Sequence, residues 1–141
     1  MKPDPVQRKQ VLLVEPHSLF RSTLASIARQ LEAVDVYETS SLEVARVILE
    51  TQQVDCMMLN IGEDMAGLAV LQALRAGQTL NPRELPTALL AATVHPDAID
   101  RLKALRPQRL MLMPCKVKTA LEVIVGLIAH GAEPAQPFVS A

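Results

Sequence analysis

Aromatic side chains are almost missing from this chain. Among 141 residues there is no tryptophan, and Phe20, Tyr37 and Phe138 are the only aromatics. A core built on rings is excluded, so the core must be aliphatic. Half of the residues are apolar, enough to fill one domain of ordinary size. Glycine is scarce as well: with five in the chain, no glycine-rich phosphate loop can be drawn. Neither sign of charge is in excess, since 14 basic residues stand against 15 acidic ones. Generic attraction to nucleic acid or to an anionic membrane is therefore not expected. The two cysteines, Cys56 and Cys115, lack metal-ligand spacing and read as free thiols in a reducing compartment. No apolar run is long and uninterrupted enough to span a bilayer. The opening MKPDPVQRKQ is polar, holds two prolines and does not read as a signal peptide. A cytoplasmic location is the expectation.

What is present is an alternation. Residues 11–14 are continuously apolar and end in Glu15-Pro16, which suits a strand buried on both faces. Leu19, Phe20, Leu24, Ile27, Ala28 and Leu31 recur at helical spacing and predict a helix over 17–32. A short strand follows at 35–39. Ser40 or Ser41 can cap the next helix, and Glu43 stands at capping-box distance from Ser40. Residues 54–61 predict a third strand, and 66–76 a helix ended by Gly77. Residues 77–86, polar and holding two prolines, read as an exposed connection. Strands are predicted at 87–93 and 108–113, with helices from Pro96 to Leu105 and over 116–129. Five strand–helix pairs of this kind imply an α/β fold, a doubly wound parallel sheet covered on both sides. The domain is expected over 10–130, between a flexible segment at 1–9 and a disordered tail or linker at 131–141. Ligand chemistry belongs to the loops after the strand C-terminal ends, at Glu15-Pro16, 60–64, 91–95 and Met113-Pro114.

These loops resemble the signature loops of a response-regulator receiver domain (CheY-like), over roughly residues 10–130. The resemblance implies the flavodoxin-like strand order 2-1-3-4-5. It also implies where the family keeps its chemistry, and each of those positions differs here. The acidic pair that binds Mg²⁺ reads Glu15-Pro16, and the phosphoacceptor aspartate reads Asn60. The hydroxyl that contacts the phosphoryl group reads Ala91. The aromatic switch on the fifth strand reads Leu110, and the lysine of the lysine–proline pair reads Met113, followed by Pro114. The intervals from Pro16 to Asn60, Asn60 to Ala91 and Ala91 to Met113 are 44, 31 and 22 residues, close to those of the family.

An amide at Asn60 is a poor nucleophile, so no acyl phosphate is expected there. Glu15 alone does not supply what Mg²⁺ usually takes, one or two carboxylates plus substrate phosphate. No catalytic residue, metal site or cofactor is therefore expected, and the chain is read as a non-enzyme. Asp55, Glu63 and Asp64 are the acids nearest the acceptor position. Asp55 starts the strand, ~16 Å from the crevice at strand rise, and the other two read as a solvated loop. His17 and His95 could approach Glu15 and Cys115 as a metal or thiol site, though loop histidines at helix starts are more often surface residues.

Function is then expected on a surface. In the last helix Val117, Leu121, Ile124, Leu127 and Ile128 form one stripe, with Val123 and Val125 on its shoulders. Val123 and Val125 are the candidate interface residues, for a protein partner or for a homodimer. A helix broadly sunk into its neighbours would account for the same pattern. The reading is a phosphorylation-independent pseudo-receiver, a protein-interaction module of bacterial signal transduction that binds neither nucleic acid nor membrane. The alternative is a small-molecule sensor using the altered crevice of Glu15, Asn60, Ala91 and Met113.

Overall fold

Successive side chains of a buried strand point to opposite faces, so a fully apolar strand must feed two cores. The computed structural model, which describes residues 8–130 and 138–139, shows this division. Its elements are β1 (Lys9–Val14), α1 (Ser18–Arg29), β2 (Val34–Thr39), α2 (Leu42–Thr51), β3 (Cys56–Asn60), α3 (Leu68–Arg75), β4 (Thr87–Ala91), α4 (Ile99–Ala104), β5 (Arg109–Leu112) and α5 (Val117–His130). All pairings are parallel, and the five strands lie in the order 2-1-3-4-5. Leu12, Val14, Met57, Leu59, Leu89, Ala91 and Leu110 pack against α2, α3 and α4. The alternate set, Val11, Leu13, Cys56, Met58, Ala88, Leu90 and Met111, packs against α1 and α5. The core is aliphatic, and each fully buried leucine in it contributes roughly 1.5–3 kcal/mol.

Several local expectations are corrected. Of the two serines offered as caps, it is Ser41 that caps α2, its Oγ accepting from the Val44 amide at 3.2 Å, so the capping-box spacing from Ser40 to Glu43 is not the one used. Pro96 opens a single 3₁₀ turn, Pro96–Ala98, that leads into a shorter α4 than expected. Lys9, placed in the flexible leader, belongs to β1, while residues 1–7 lie outside the described residues. Phe138 and Val139, placed in an irregular tail, form a two-residue β6 that pairs in parallel with Leu110 and Met111. The rest of the expected tail, 131–137 and 140–141, lies outside the described residues.

The connection at 77–86 is not simply exposed. Asn81 is 4% accessible, and Leu85 is buried. The Asn81 amide group donates to the carbonyls of Leu49 and Gln52, both at 2.9 Å, and its Oδ1 accepts from the Val54 amide at 2.9 Å. It thereby ties the end of α2, where the Leu49 carbonyl also accepts from the Leu80 amide at 3.1 Å, to the backbone at the approach to β3.

Arg75, at the end of α3, ties the same end of the sheet. Its guanidinium donates to the carbonyls of Leu105 (2.8 Å), Arg83 (2.7 Å), Leu85 (2.8 Å) and Arg106 (3.1 Å). One side chain thus pins the loops that precede β4 and β5. Burial, with the neighbouring charge of Arg106 adding to it, lowers its pKa to about 10, which still leaves it charged at neutral pH.

Candidate functional site

The strand order reverses between β1 and β3, and their C-terminal ends define the crevice where ligands bind in such sheets. Glu15 follows β1 and Asn60 ends β3, so the topology brings together two residues 45 positions apart. Gly67 fixes the loop between β3 and α3. A Cβ there would stand 2.6 Å from the Ile61 Cα, so only glycine lets the start of α3 approach the strand end this closely.

The Glu15 side chain has no solvent exposure. A buried carboxylate is costly unless hydrogen bonds replace its water, and here three do. The Asn60 Nδ2 donates to Oε2 at 2.8 Å. The backbone amide of His17 donates to Oε1 at 3.2 Å, and the His17 Nδ1 lies 2.8 Å from the same oxygen. An ionised carboxylate only accepts, so the His17 tautomer with a proton on Nδ1 fits this contact. The other end of the Asn60 side chain is also occupied, its Oδ1 accepting from the Gly62 amide at 2.9 Å. Turned the other way, its oxygen would face the Glu15 carboxylate and its NH₂ would face another donor. The two ends of the side chain therefore need opposite hydrogen-bonding character, which asparagine has and aspartate lacks.

The remaining family positions add no polar chemistry. Ala91 is buried at the end of β4, and Leu110 is buried in β5. Met113 is partly covered, its Sδ accepting from the Cys115 Sγ at 3.5 Å, and the Met113–Pro114 peptide is cis. Burial, and secondarily the charge of Glu15, raises the Cys115 pKa, which disfavours the reactive thiolate. Burial also pushes the Cys56 thiol up to about 12, with Asp55 adding to the shift. Asp64 turns its carboxylate to the Ala66 amide at 3.1 Å, a loop-forming contact, and Glu63 is exposed. Asp55, at the far end of β3, accepts from the Gln10 amide at 2.7 Å.

The residues at the crevice do not fit Mg²⁺. Pro16 offers no side-chain oxygen, and the Glu15 and Asn60 oxygens already have partners within the protein. Among the described residues no group of three or more His, Cys, Asp or Glu side chains could hold a metal ion. The proposed set of Glu15, His17, His95 and Cys115 is brought together only in part, through the Glu15–His17 contact. That contact has a sequence signal in the spacing of two residues across the turn into α1. The burial of Glu15 has none.

The candidate interface residues of α5 separate. Val123 packs partly against the core beneath α1 and α5, whereas Val125 is 44% exposed. The broad apolar face is thus explained in part by packing within the molecule.

No protein-family model matches the sequence. No curated protein is similar to it. The similarity appears among solved structures. A CheY-like response-regulator receiver domain protein from Methanospirillum hungatei JF-1 superposes with a TM-score of 0.75 at 13% identity, over 88% of this chain and 96% of that one. The chain has the receiver fold. A response-regulator receiver protein from Pseudomonas putida gives 0.72 at 19% identity, over 86% and 99% of the two chains. The chemotaxis response regulator CheY4 of Vibrio cholerae gives 0.70 at 17% identity, over 86% and 99%. In this receiver fold the order of elements is retained, while the crevice is closed by an asparagine–glutamate hydrogen bond. Among the described residues no helix is long and apolar enough to cross a membrane.

Proposed function

We propose that this chain is a phosphorylation-independent pseudo-receiver, a regulatory module of two-component signalling that acts through constitutive protein contacts and catalyses no reaction. The observation that carries the reading is the Asn60 amide donating to the buried Glu15 carboxylate. It puts a neutral, non-nucleophilic group at the acceptor position and engages the one matching carboxylate. The alternative, a sensor binding small molecules in this crevice, has less support because both of its polar side chains are already satisfied.

The direct test is incubation with acetyl phosphate, or with beryllofluoride, in the presence of Mg²⁺. The expected result is no gain of mass and no amide chemical-shift change in the loops at 60–64, 91–95 and 113–116. Addition of a phosphoryl group at Glu63, Asp64 or any other crevice residue would remove the reading.

The contact surface proposed is the side formed by α4, β5 and α5. Leu112 and Val125 are 43% and 44% exposed there. Every charged residue from Arg101 to Lys118 is basic. A protein partner or a second copy of this chain is the occupant. With Leu112→Glu and Val125→Glu combined, light scattering should show loss of self-association, or pull-down loss of a partner, while circular dichroism stays unchanged. A monomeric wild type eliminates the homodimer, and an unchanged complex in the folded variant eliminates this surface.

A further inference from the structure

At the end of the sheet opposite the crevice, a groove of about 380 Å³ lies between the approaches to β1, β3 and β4 and the last turns of α5. This is within the roughly 300–1,000 Å³ range of small-ligand sites. Its floor is apolar: Val54, Leu85 and Leu127 are buried there, and Ile128 is partly so. Its rim carries charges of both signs, Lys9 on β1, Asp55 at the start of β3 and Glu84 just before β4. Asp55 is held by the Gln10 backbone, with the Asp55 amide donating to the Gln10 carbonyl at 2.7 Å and the Asp55 carboxylate accepting from the Gln10 amide. Among the described residues the Lys9 ammonium is in no ion pair, while Glu84 forms no direct ion pair but lies close enough to the Arg75 guanidinium for its charge to raise that pKa against the lowering by burial.

The sheet order spaces these charges. β3 lies between β1 and β4, so the segments carrying Lys9 and Glu84 lie on either side of the one carrying Asp55. An occupant with an anionic group toward Lys9, a cationic group toward Glu84 and Asp55, and an apolar body on the Val54–Leu127 floor would be matched on all three counts. We propose that this groove binds a small zwitterion with an apolar body, of the chemical class of the aliphatic amino acids. A ligand carrying one sign of charge meets repulsion at one side of the rim, and a purely apolar one leaves the rim charges unmatched. The site is separate from the phosphate-site positions and shares α5 with the proposed contact surface, so the two are told apart by their substitutions, Lys9→Met and Glu84→Gln here against Leu112→Glu and Val125→Glu there.

The probe is L-leucine, titrated into the full chain and followed through amide chemical shifts. Isoamylamine and 4-methylpentanoate, which keep the apolar body and lose one charge each, are the comparison ligands. Shifts are expected at 9, 53–56, 84–87 and 127–128, with each analogue and each of Lys9→Met and Glu84→Gln weakening binding roughly tenfold. Both substitutions are at exposed positions and leave the core intact. Shifts confined to 60–64 and 91–95, or equal binding of all three ligands, overturn the proposal. Silence toward millimolar leucine also overturns it. If deletion of residues 2–7 then moves the same amides, the occupant is the chain's own N-terminal segment.

Discussion

Asn60→Asp, the change that restores the acceptor residue of the receiver family, is expected to destabilise this protein by about 3 kcal/mol at neutral pH. The Asn60 Nδ2 stands 2.8 Å from a Glu15 oxygen in a site where Glu15 has no solvent exposure. The substitution replaces that donor by a second carboxylate oxygen. Like charges this close cannot both stay ionised without cost, so the pair shares a proton at a raised pKa. The raised value sets the sign of the pH dependence. The penalty is full above that pKa and fades as pH falls through it, so the deficit relative to wild type should shrink on acidification. A divalent cation offers another relief, because the variant has the two carboxylates that Mg²⁺ usually takes. Urea unfolding at several pH values, with and without Mg²⁺, measures both effects. Equal stability of variant and wild type at neutral pH would sink the argument, as would a Mg²⁺ response of the wild type equal to that of the variant.

Arg75→Met should cost a similar amount, about 3 kcal/mol, with an unchanged urea m-value. The methionine keeps an apolar stem but leaves the carbonyls of Arg83, Leu85, Leu105 and Arg106 without their charged donor. Those carbonyls belong to the two loops feeding β4 and β5, so loss of the guanidinium frees both at once. Arg75→Lys should recover only part of the stability. A single ammonium carries three donors and lacks the planar fork that reaches four carbonyls at the observed distances. A loss below about 1 kcal/mol for Arg75→Met would show that water replaces the guanidinium at little cost.

The strands and helices were legible because burial on both faces leaves a plain mark. Residues 11–14 and 87–91 are unbroken apolar runs, and α1 repeats its apolar positions at helical spacing. The meeting of Asn60, at the end of β3, with Glu15 was legible through order and spacing. Asn81 and Arg75 were not legible in the same way. Each is a polar residue in or beside a polar segment, and its role depends on carbonyls outside its own element, 29 and 32 residues away for Asn81 and 8 to 31 residues away for Arg75. The two readings of Val123 stayed open for a related reason: helical spacing places it on a shoulder of α5 but does not reveal that it packs partly against the core. The pairing of Phe138 with Leu110 is likewise nonlocal, and no periodicity in a two-residue strand could announce it.

The two-ended engagement of Asn60 also bears on redesign. Its amide faces Glu15 on one side and the Gly62 amide on the other, so the residue is fastened by demands of opposite polarity. Any design of phosphate chemistry into this crevice would have to change position 60 first and suffer the repulsion, or change Pro16, Ala91 and Met113 first while position 60 still offers no nucleophile. Neither order gives an improvement at the first step. The hydrogen bond between Asn60 and Glu15 therefore acts as a ratchet against stepwise redesign, and only a simultaneous change of several positions avoids it.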